Sequence, residues 1–337
     1  MKVAVNHGKA VELGKIIGSV LHHLSVDDFT DTRFYPPASA SREEVASYFL
    51  VMVAMDHRLS RPGKPYEGYV DGEFYHGADL LYRLGMKKFN EDPGFFTAER
   101  LSRVTSKEVI EWLSIENPER GTVKPPDPQL RAELLRDLGI KLLKLYDGSA
   151  YNIIVRSRGY LRRDAAEGFI DLLKVFKAYQ DPVEKKAFLL AKFLERRGIL
   201  IIQDQENKEV PVDNHLVRIA VRLGIVDLDT QTLEKIALGE EFSWEEDVFL
   251  RIATRTAYKL LALSAGVDPF ILDDFLWLFG RKCCLREKPV CRAKCYEACG
   301  AIGGCREGLC VFEKLCTARR DARYMVNEHT YLNTWYY

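Results

Sequence analysis

All eight cysteines of this 337-residue chain fall between Cys283 and Cys316, in the run KCCLREKPVCRAKCYEACGAIGGCREGLCVFEKLC. The chemistry such a run offers is soft-metal ligation, because four thiolates hold one iron–sulfur cluster or one tetrahedral zinc ion. Six residues separate Cys284 from Cys291 and five separate Cys310 from Cys316, two close pairs that let one loop wrap a cluster. An iron–sulfur cluster is the expectation, with zinc on the same thiolates as the alternative. Two further outcomes are open: a second cluster on Cys283, Cys295, Cys299 and Cys305, or disulfides among the cysteines left over. A reducing compartment favours ligation over disulfides, although hyperthermophiles keep disulfides inside the cell.

Upstream, VPVDNHLVRIAVRLGIVD spans residues 210–227 and puts Asp213 at the mouth of an amphipathic helix. Helix-end amides favour the ionised carboxylate there. The helix expected after Asp181-Pro182 carries Lys185, Lys186 and Lys192. Asp56, His57 and Asn152 are further polar residues of the kind that serve as caps and core polar groups.

The elements that would position these residues are helices. Ser41-Arg-Glu-Glu44 and Thr105-Ser-Lys-Glu108 are capping boxes ahead of apolar runs. Asp127-Pro128 and Asp181-Pro182 each place a cap before a proline at the first helical position, and Gly198 and Gly224 end helices. Helical patterns also cover 164–179, 231–238, 244–265 and 270–279, and GILIIQ at 198–203 is the best strand candidate. Turn-rich linkers occupy 61–77 and 118–128. The expected organisation is all-α: an N-terminal helical lobe over 1–125, a helical core over 126–280, and a basic cysteine-rich cap with an aromatic tail over 281–337. No apolar run is long enough for a membrane span, and the N-terminus lacks the pattern of a signal peptide, so a cytoplasmic protein is expected.

Lys+Arg and Asp+Glu both total 49, a formal net charge of zero. Residues 281–323 hold 11 cations against 5 anions. That excess suits either a phosphate-binding surface or compensation of an anionic cluster.

The C-x6-C and C-x5-C halves of the cysteine run resemble the cluster loop of iron–sulfur DNA glycosylases of the endonuclease III type, whose pattern is C-x6-C-x2-C-x5-C. Here eighteen residues stand between Cys291 and Cys310 in place of two. By that resemblance Cys284, Cys291, Cys310 and Cys316 ligate a [4Fe–4S] cluster. The proline, valine, aspartate and closing Arg-Leu-Gly of 211–224 resemble the segment after the hairpin in the helix-hairpin-helix glycosylase superfamily, which makes Asp213 the catalytic carboxylate. EKKAFLLAKFL is similar to the corresponding helix of archaeal 8-oxoguanine glycosylases and makes Lys186 a candidate Schiff-base nucleophile, although the hairpin's Leu-Pro-Gly-x-Gly is replaced by AYQDPVEKK. The implied fold is a two-lobed helix-hairpin-helix glycosylase with an iron–sulfur cap. The implied activity is hydrolysis of an N-glycosidic bond in double-stranded DNA that carries a damaged base. LLKLYDGSAYNIIVRSRG and RIATRTAYKLLALSAGVDPFILDDFLWLFGR resemble the queuosine-salvage glycosylases instead, whose substrate is a modified nucleotide, and by that resemblance Asp56, His57 and Asn152 would line the nucleoside pocket. A non-catalytic iron–sulfur protein that binds nucleic acid is the third expectation, with TYLNTWYY (330–337) as a docking segment or a clamp on the body.

Overall fold

Local sequence signals set most helix starts. Ser41 and Thr105 each accept the amide of the glutamate three residues on, and each glutamate returns a bond to the cap amide. Asp213 accepts from the Leu216 amide at 2.9 Å. The structure is a computed structural model describing residues 1–21, 24–61 and 63–337. Pro62, within the 61–77 stretch, and His22 and His23 lie outside the described residues.

In chain order the first elements are β1 (Val3–Val5), α1 (His7–Leu21), α2 (Arg42–Met55), β2 (Glu67–Val70), β3 (Glu73–His76) and α3 (Gly77–Glu91). They continue with α4 (Ala98–Leu101), α5 (Ser106–Leu113), β4 (Ile115–Asn117), β5 (Gly121–Val123), α6 (Pro128–Leu145), α7 (Tyr151–Ser157), α8 (Phe169–Leu173) and α9 (Lys185–Arg196). The remainder are α10 (Asn214–Leu223), β6 (Val226–Leu228), α11 (Thr230–Ala237), α12 (Trp244–Ala265), α13 (Pro269–Lys282), α14 (Glu297–Gly300), β7 (Cys305–Arg306), β8 (Leu309–Cys310) and α15 (Thr317–Arg320). The fold is predominantly helical. Among the described residues the strands form only two-stranded antiparallel pairs, and no helix is long and apolar enough to cross a membrane.

The chain divides into two compact units, Met1–Val26 with Lys208–Asn333, and Asp27–Asn207 with Thr334–Tyr337. This division cuts across the sequence segments: the stretch 1–125 contributes to both units, and the boundary at 280 falls inside the first.

In the first unit β1 pairs with β6, Val3 facing Leu228, so the N-terminus is stitched to the chain two hundred residues on. Helix α1 lies against α12, where a Cβ on Gly14 would meet Ser264 Oγ at 2.8 Å. Ile17, Leu216, Ile219, Phe275, Phe279 and Phe312 share one core, and Cys283 and Cys299 belong to it. The cysteine-rich segment is therefore part of this unit's core. Asp247, fully buried on α12, is held by Arg251 Nε at 3.1 Å and lies 2.8 Å from His329 Nε2.

The second unit is built around α2, whose residues Val45 to Met55 are all buried. A helix apolar all round is stable only at the centre of a unit, and α3, α6, α7 and α9 pack on it. Trp335 and Tyr337 of the aromatic tail belong here. Trp335 donates to the Lys177 carbonyl at 2.9 Å, and Tyr337 is buried with its carbonyl bonded to the Arg58 amide.

Three local expectations are corrected. GILIIQ forms no strand: Ile199 and Leu200 donate back to the Leu194 carbonyl, which closes α9, and Ile201 points to solvent for want of a partner strand. The helix after Asp181-Pro182 begins one turn late, at Lys185, with Glu184 in the left-handed region at φ 61°. The pattern over 164–179 yields only α8 and a 3-10 turn, because Phe169 and Ile170 bond back to the Tyr160 and Leu161 carbonyls.

Gly224 ends α10 at φ 80°, and a Cβ there would meet Thr317 Oγ1 at 1.9 Å. Gly239, at φ 69°, has open space around it. Gly224→Ala should destabilise the protein by about 2–4 kcal/mol, through left-handed strain plus overpacking. Gly239→Ala, with the strain alone, should cost about 1–2 kcal/mol. Denaturant unfolding of the two variants side by side reads the difference, and equal losses would deny the close approach at Thr317.

Candidate functional site

Helix α10 carries two kinds of chemistry. At its N-terminus Asp213 is half-buried; Oδ1 accepts the Leu216 amide, and Oδ2 accepts no hydrogen bond from any described residue. Beside it, burial pulls the His215 imidazole below its ordinary 6.5, against the opposing pull of the Asp213 carboxylate. His215 Nε2 has no hydrogen-bond partner among the described residues. It presses on Gly280, where a Cβ would stand only 2.0 Å from it.

One and two turns further along α10, Arg218 and Arg222 reach the cysteine loop. Arg218 donates to the Gly280 and Cys284 carbonyls at 3.1 and 3.0 Å and pairs with Glu328. Arg222 donates to the carbonyls of Val326, Leu285 and Arg286 at 2.8, 2.7 and 2.6 Å, and its Nη1 stands 3.4 Å from Cys284 Sγ. Cys316 Sγ in turn donates to the Arg222 carbonyl at 3.2 Å. The first and last cysteines of the expected ligand set thus meet at one arginine.

The eight cysteines sort into two sets of four. Cys283 is bonded to Cys299 and Cys295 to Cys305, while Cys284, Cys291, Cys310 and Cys316 are free and half-buried. Burial pushes the Cys310 thiol up to about 12 and the Cys316 thiol up to about 11, and the neighbouring cysteines push both the same way. Cys291 is raised by burial and then by Cys284. The four are close enough to repel one another as thiolates, a repulsion that a bound cation relieves. Among the described residues, the trio of candidate ligand atoms lying within 4.8 Å of one another is Cys295, Cys299 and Cys305. Among the described residues no three of the free four form such a group. A cubane gives each thiolate its own iron, whereas a single zinc at about 2.3 Å would draw the sulfurs to about 3.8 Å apart. Cys284, Cys291, Cys310 and Cys316 supply four free thiols of the kind that hold an iron–sulfur cluster or zinc, and Cys295, Cys299 and Cys305 of the eighteen-residue insert are bonded among themselves and to Cys283.

The remaining sequence candidates lie in the second unit. Lys186 is fully buried; its Nζ donates to the Ala54 carbonyl at 2.6 Å and stands 3.2 Å from His57 Nδ1. Burial, then the charge of Lys185, holds the Lys186 amine well below the ordinary lysine range. Burial and the Arg131 charge hold the His57 imidazole well below 6.5. Asp56 ends α2 and pairs with Lys185 at 3.4 Å. Three of the four candidates outside the first unit therefore meet at the C-terminus of α2. Asn152 does not join them, since it donates to the Tyr146 carbonyl at 3.0 Å and ties the turn before α7.

At the turn before α9, Val183 and Lys185 donate their amides to the two oxygens of Asp181, both at 3.0 Å. The amides that would meet a phosphate at a glycine-rich hairpin are already bonded here.

Sequence reasoning missed Arg218 and Arg222, although two arginines four residues apart in the otherwise apolar NHLVRIAVRL were a visible signal. It also missed Glu328, whose partner lies more than a hundred residues away. No protein-family model matches the chain, and no curated protein gives a significant match.

Arg222→Met should strand three carbonyls, one buried and two part-buried, at a cost of about 2–4 kcal/mol. It should also speed alkylation of Cys284 and Cys316 in the metal-free protein. Unchanged alkylation rates would show that the arginine does not hold the loop.

Proposed function

We propose that the chain is an N-glycosylase in which Asp213 stabilises the cation that develops at the sugar C1′ as the base leaves. One observation carries this reading. Asp213 has one carboxylate oxygen committed to the helix cap, and the other accepts no hydrogen bond from a described residue, on the same helix whose arginines hold the cysteine loop. The two motifs on which the family resemblance rests are thereby coupled in one element. Cleavage of an N-glycosidic bond needs an anion beside C1′, oriented before the bond breaks, so that stabilisation costs no reorganisation. The N-cap bond supplies the orientation and the helix dipole favours the charge. A water then adds at C1′, with the carboxylate as its proton acceptor. A cluster on Cys284, Cys291, Cys310 and Cys316 would supply a rigid support for the loop and takes no part in this step.

For the substrate, a damaged base in double-stranded DNA is the first reading. The base would have to leave the stack, at a cost of a few kcal/mol, and the basic stretch 281–323 supplies charge for phosphates. The second reading, a modified nucleotide of the queuosine type, is favoured by the Asp181 carboxylate, which occupies the turn amides a DNA backbone would use.

Asn caps helices as well as Asp does, so Asp213→Asn removes the charge and keeps the cap. Base release should fall by about 10²–10⁴-fold, with thermal stability nearly unchanged. The assay sets duplexes with oxidised, deaminated or alkylated bases beside queuosine monophosphate. Release from the nucleotide alone selects the second reading, and undiminished turnover by the variant removes Asp213 from the chemistry.

Lys186 has the depressed basicity of a Schiff-base lysine but not the access. We therefore assign plain hydrolysis, with Lys186 holding the end of α2. Borohydride added during reaction with abasic DNA should trap no covalent complex, and an adduct abolished by Lys186→Ala would restore the lyase role.

A further inference from the structure

The four cysteines outside the proposed cluster form a sulfur knot of their own. Cys283 caps α13, Cys299 lies in α14, Cys305 lies in β7 and Cys295 in the loop before α14. Cys283 and Cys299 are fully buried. Cys283 is bonded to Cys299 and Cys295 to Cys305, but the two pairs also touch: Cys299 Sγ and Cys305 Sγ are 2.9 Å apart. Neither disulfide sulfur carries a hydrogen to share, and even carbon atoms in ordinary contact sit about 3.5–4.0 Å apart. Four sulfurs on four separate supports have been brought closer than two disulfides need to be.

The backbone is shaped for that convergence. A Cβ on Gly304 would stand 2.3 Å from Cys283 Sγ and 3.0 Å from Cys299 Sγ, so only glycine fits beside the sulfurs. Gly303 before it is in the left-handed region at φ 73°, and the Gly304 amide donates to the Cys299 carbonyl at 3.0 Å. The β7–β8 pair sets Cys305 opposite Cys310.

We propose that Cys283, Cys295, Cys299 and Cys305 are a mononuclear zinc site, closed here as two disulfides and opened by thiol reduction. Two dithiol molecules deliver four electrons to the two disulfides and are themselves oxidised to disulfides, which leaves four cysteine thiols. Zinc then binds the four thiolates as their four protons leave to solvent. Around a tetrahedral ion with Zn–S of about 2.3 Å the sulfur–sulfur edges become about 3.8 Å, which relieves the 2.9 Å contact. The sulfurs of Cys295, Cys299 and Cys305 lie within 4.8 Å of one another and Cys283 is bonded to Cys299, a spacing that suits one ion. The surplus of cations over 281–323 then compensates two anionic centres. The inference stands whether or not the protein is a glycosylase.

The test uses the full-length protein, purified anaerobically, treated with a dithiol and excess zinc chloride, then gel-filtered. Metal analysis should give one zinc per chain in addition to any iron, and X-ray absorption at the zinc edge should give four sulfurs at about 2.3 Å. Cys295→Ser/Cys305→Ser should lose that zinc and keep its iron. Should the variant not fold, titration of the native protein with an organomercurial should release one zinc per four thiols blocked. Retention of no zinc after reduction, iron in its place, or two disulfides that survive the dithiol would each overturn the proposal.

Discussion

Two guanidinium groups buried on α10, those of Arg218 and Arg222, carry the architecture of the first unit. The chain from Cys284 to Arg286 forms neither helix nor strand, so its carbonyls find no partners within regular structure. Buried carbonyls must nevertheless be bonded. Arginine suits this because it presents several donors in a fixed planar fork and keeps its charge when buried. Arg222 reaches three carbonyls from two different stretches of chain, which welds the loop, the segment at Val326 and α10 together. The orientation of Asp213 and the placement of Cys284 and Cys316 both descend from the position of this helix.

The second unit solves a similar problem in a similar way. The last carbonyls of α2 have no intrahelical donors. Arg131, fully buried, donates to the Met55 and His57 carbonyls, and Lys186 donates to that of Ala54. Cations at a helix C-terminus also meet the negative end of its dipole. That is why a lysine can be buried here beside a histidine: its Nζ donates to the Ala54 carbonyl, and burial and the Arg131 charge pull the basicity of the imidazole down. A residue type that catalysis values for its depressed basicity is, in this arrangement, a fastener.

The cysteine segment divides one composition into a bonded four and a free four. Sulfurs carried on one helix cap, one short helix and one tight hairpin converge into a knot of two disulfides, whereas Cys284, Cys291, Cys310 and Cys316 stay free, with Cys284 beside Arg222. The long insert between Cys291 and Cys310 is consumed in building the knot. It returns the chain at the β7–β8 hairpin, so Cys310 remains available to the free set.

The helical class, the capping boxes at Ser41 and Thr105, the cap at Asp213 and the stops at Gly198 and Gly224 were all legible in the amino-acid sequence. Each depends on residues within a few positions of one another, where backbone sterics and local hydrogen bonds decide. The division of the cysteines into a bonded four and a free four is compatible with the spacing but does not follow from it, because sequence separation says little about where a loop returns. Nor could the sequence place Lys186 against Ala54 and His57, split the chain into two discontinuous units, or pair Val3 with Leu228. Those contacts join residues tens to hundreds of positions apart, and they exist only because burying apolar helices brings their polar ends together. Local chemistry wrote the elements; the requirement that every buried carbonyl and charge find a partner chose how they meet.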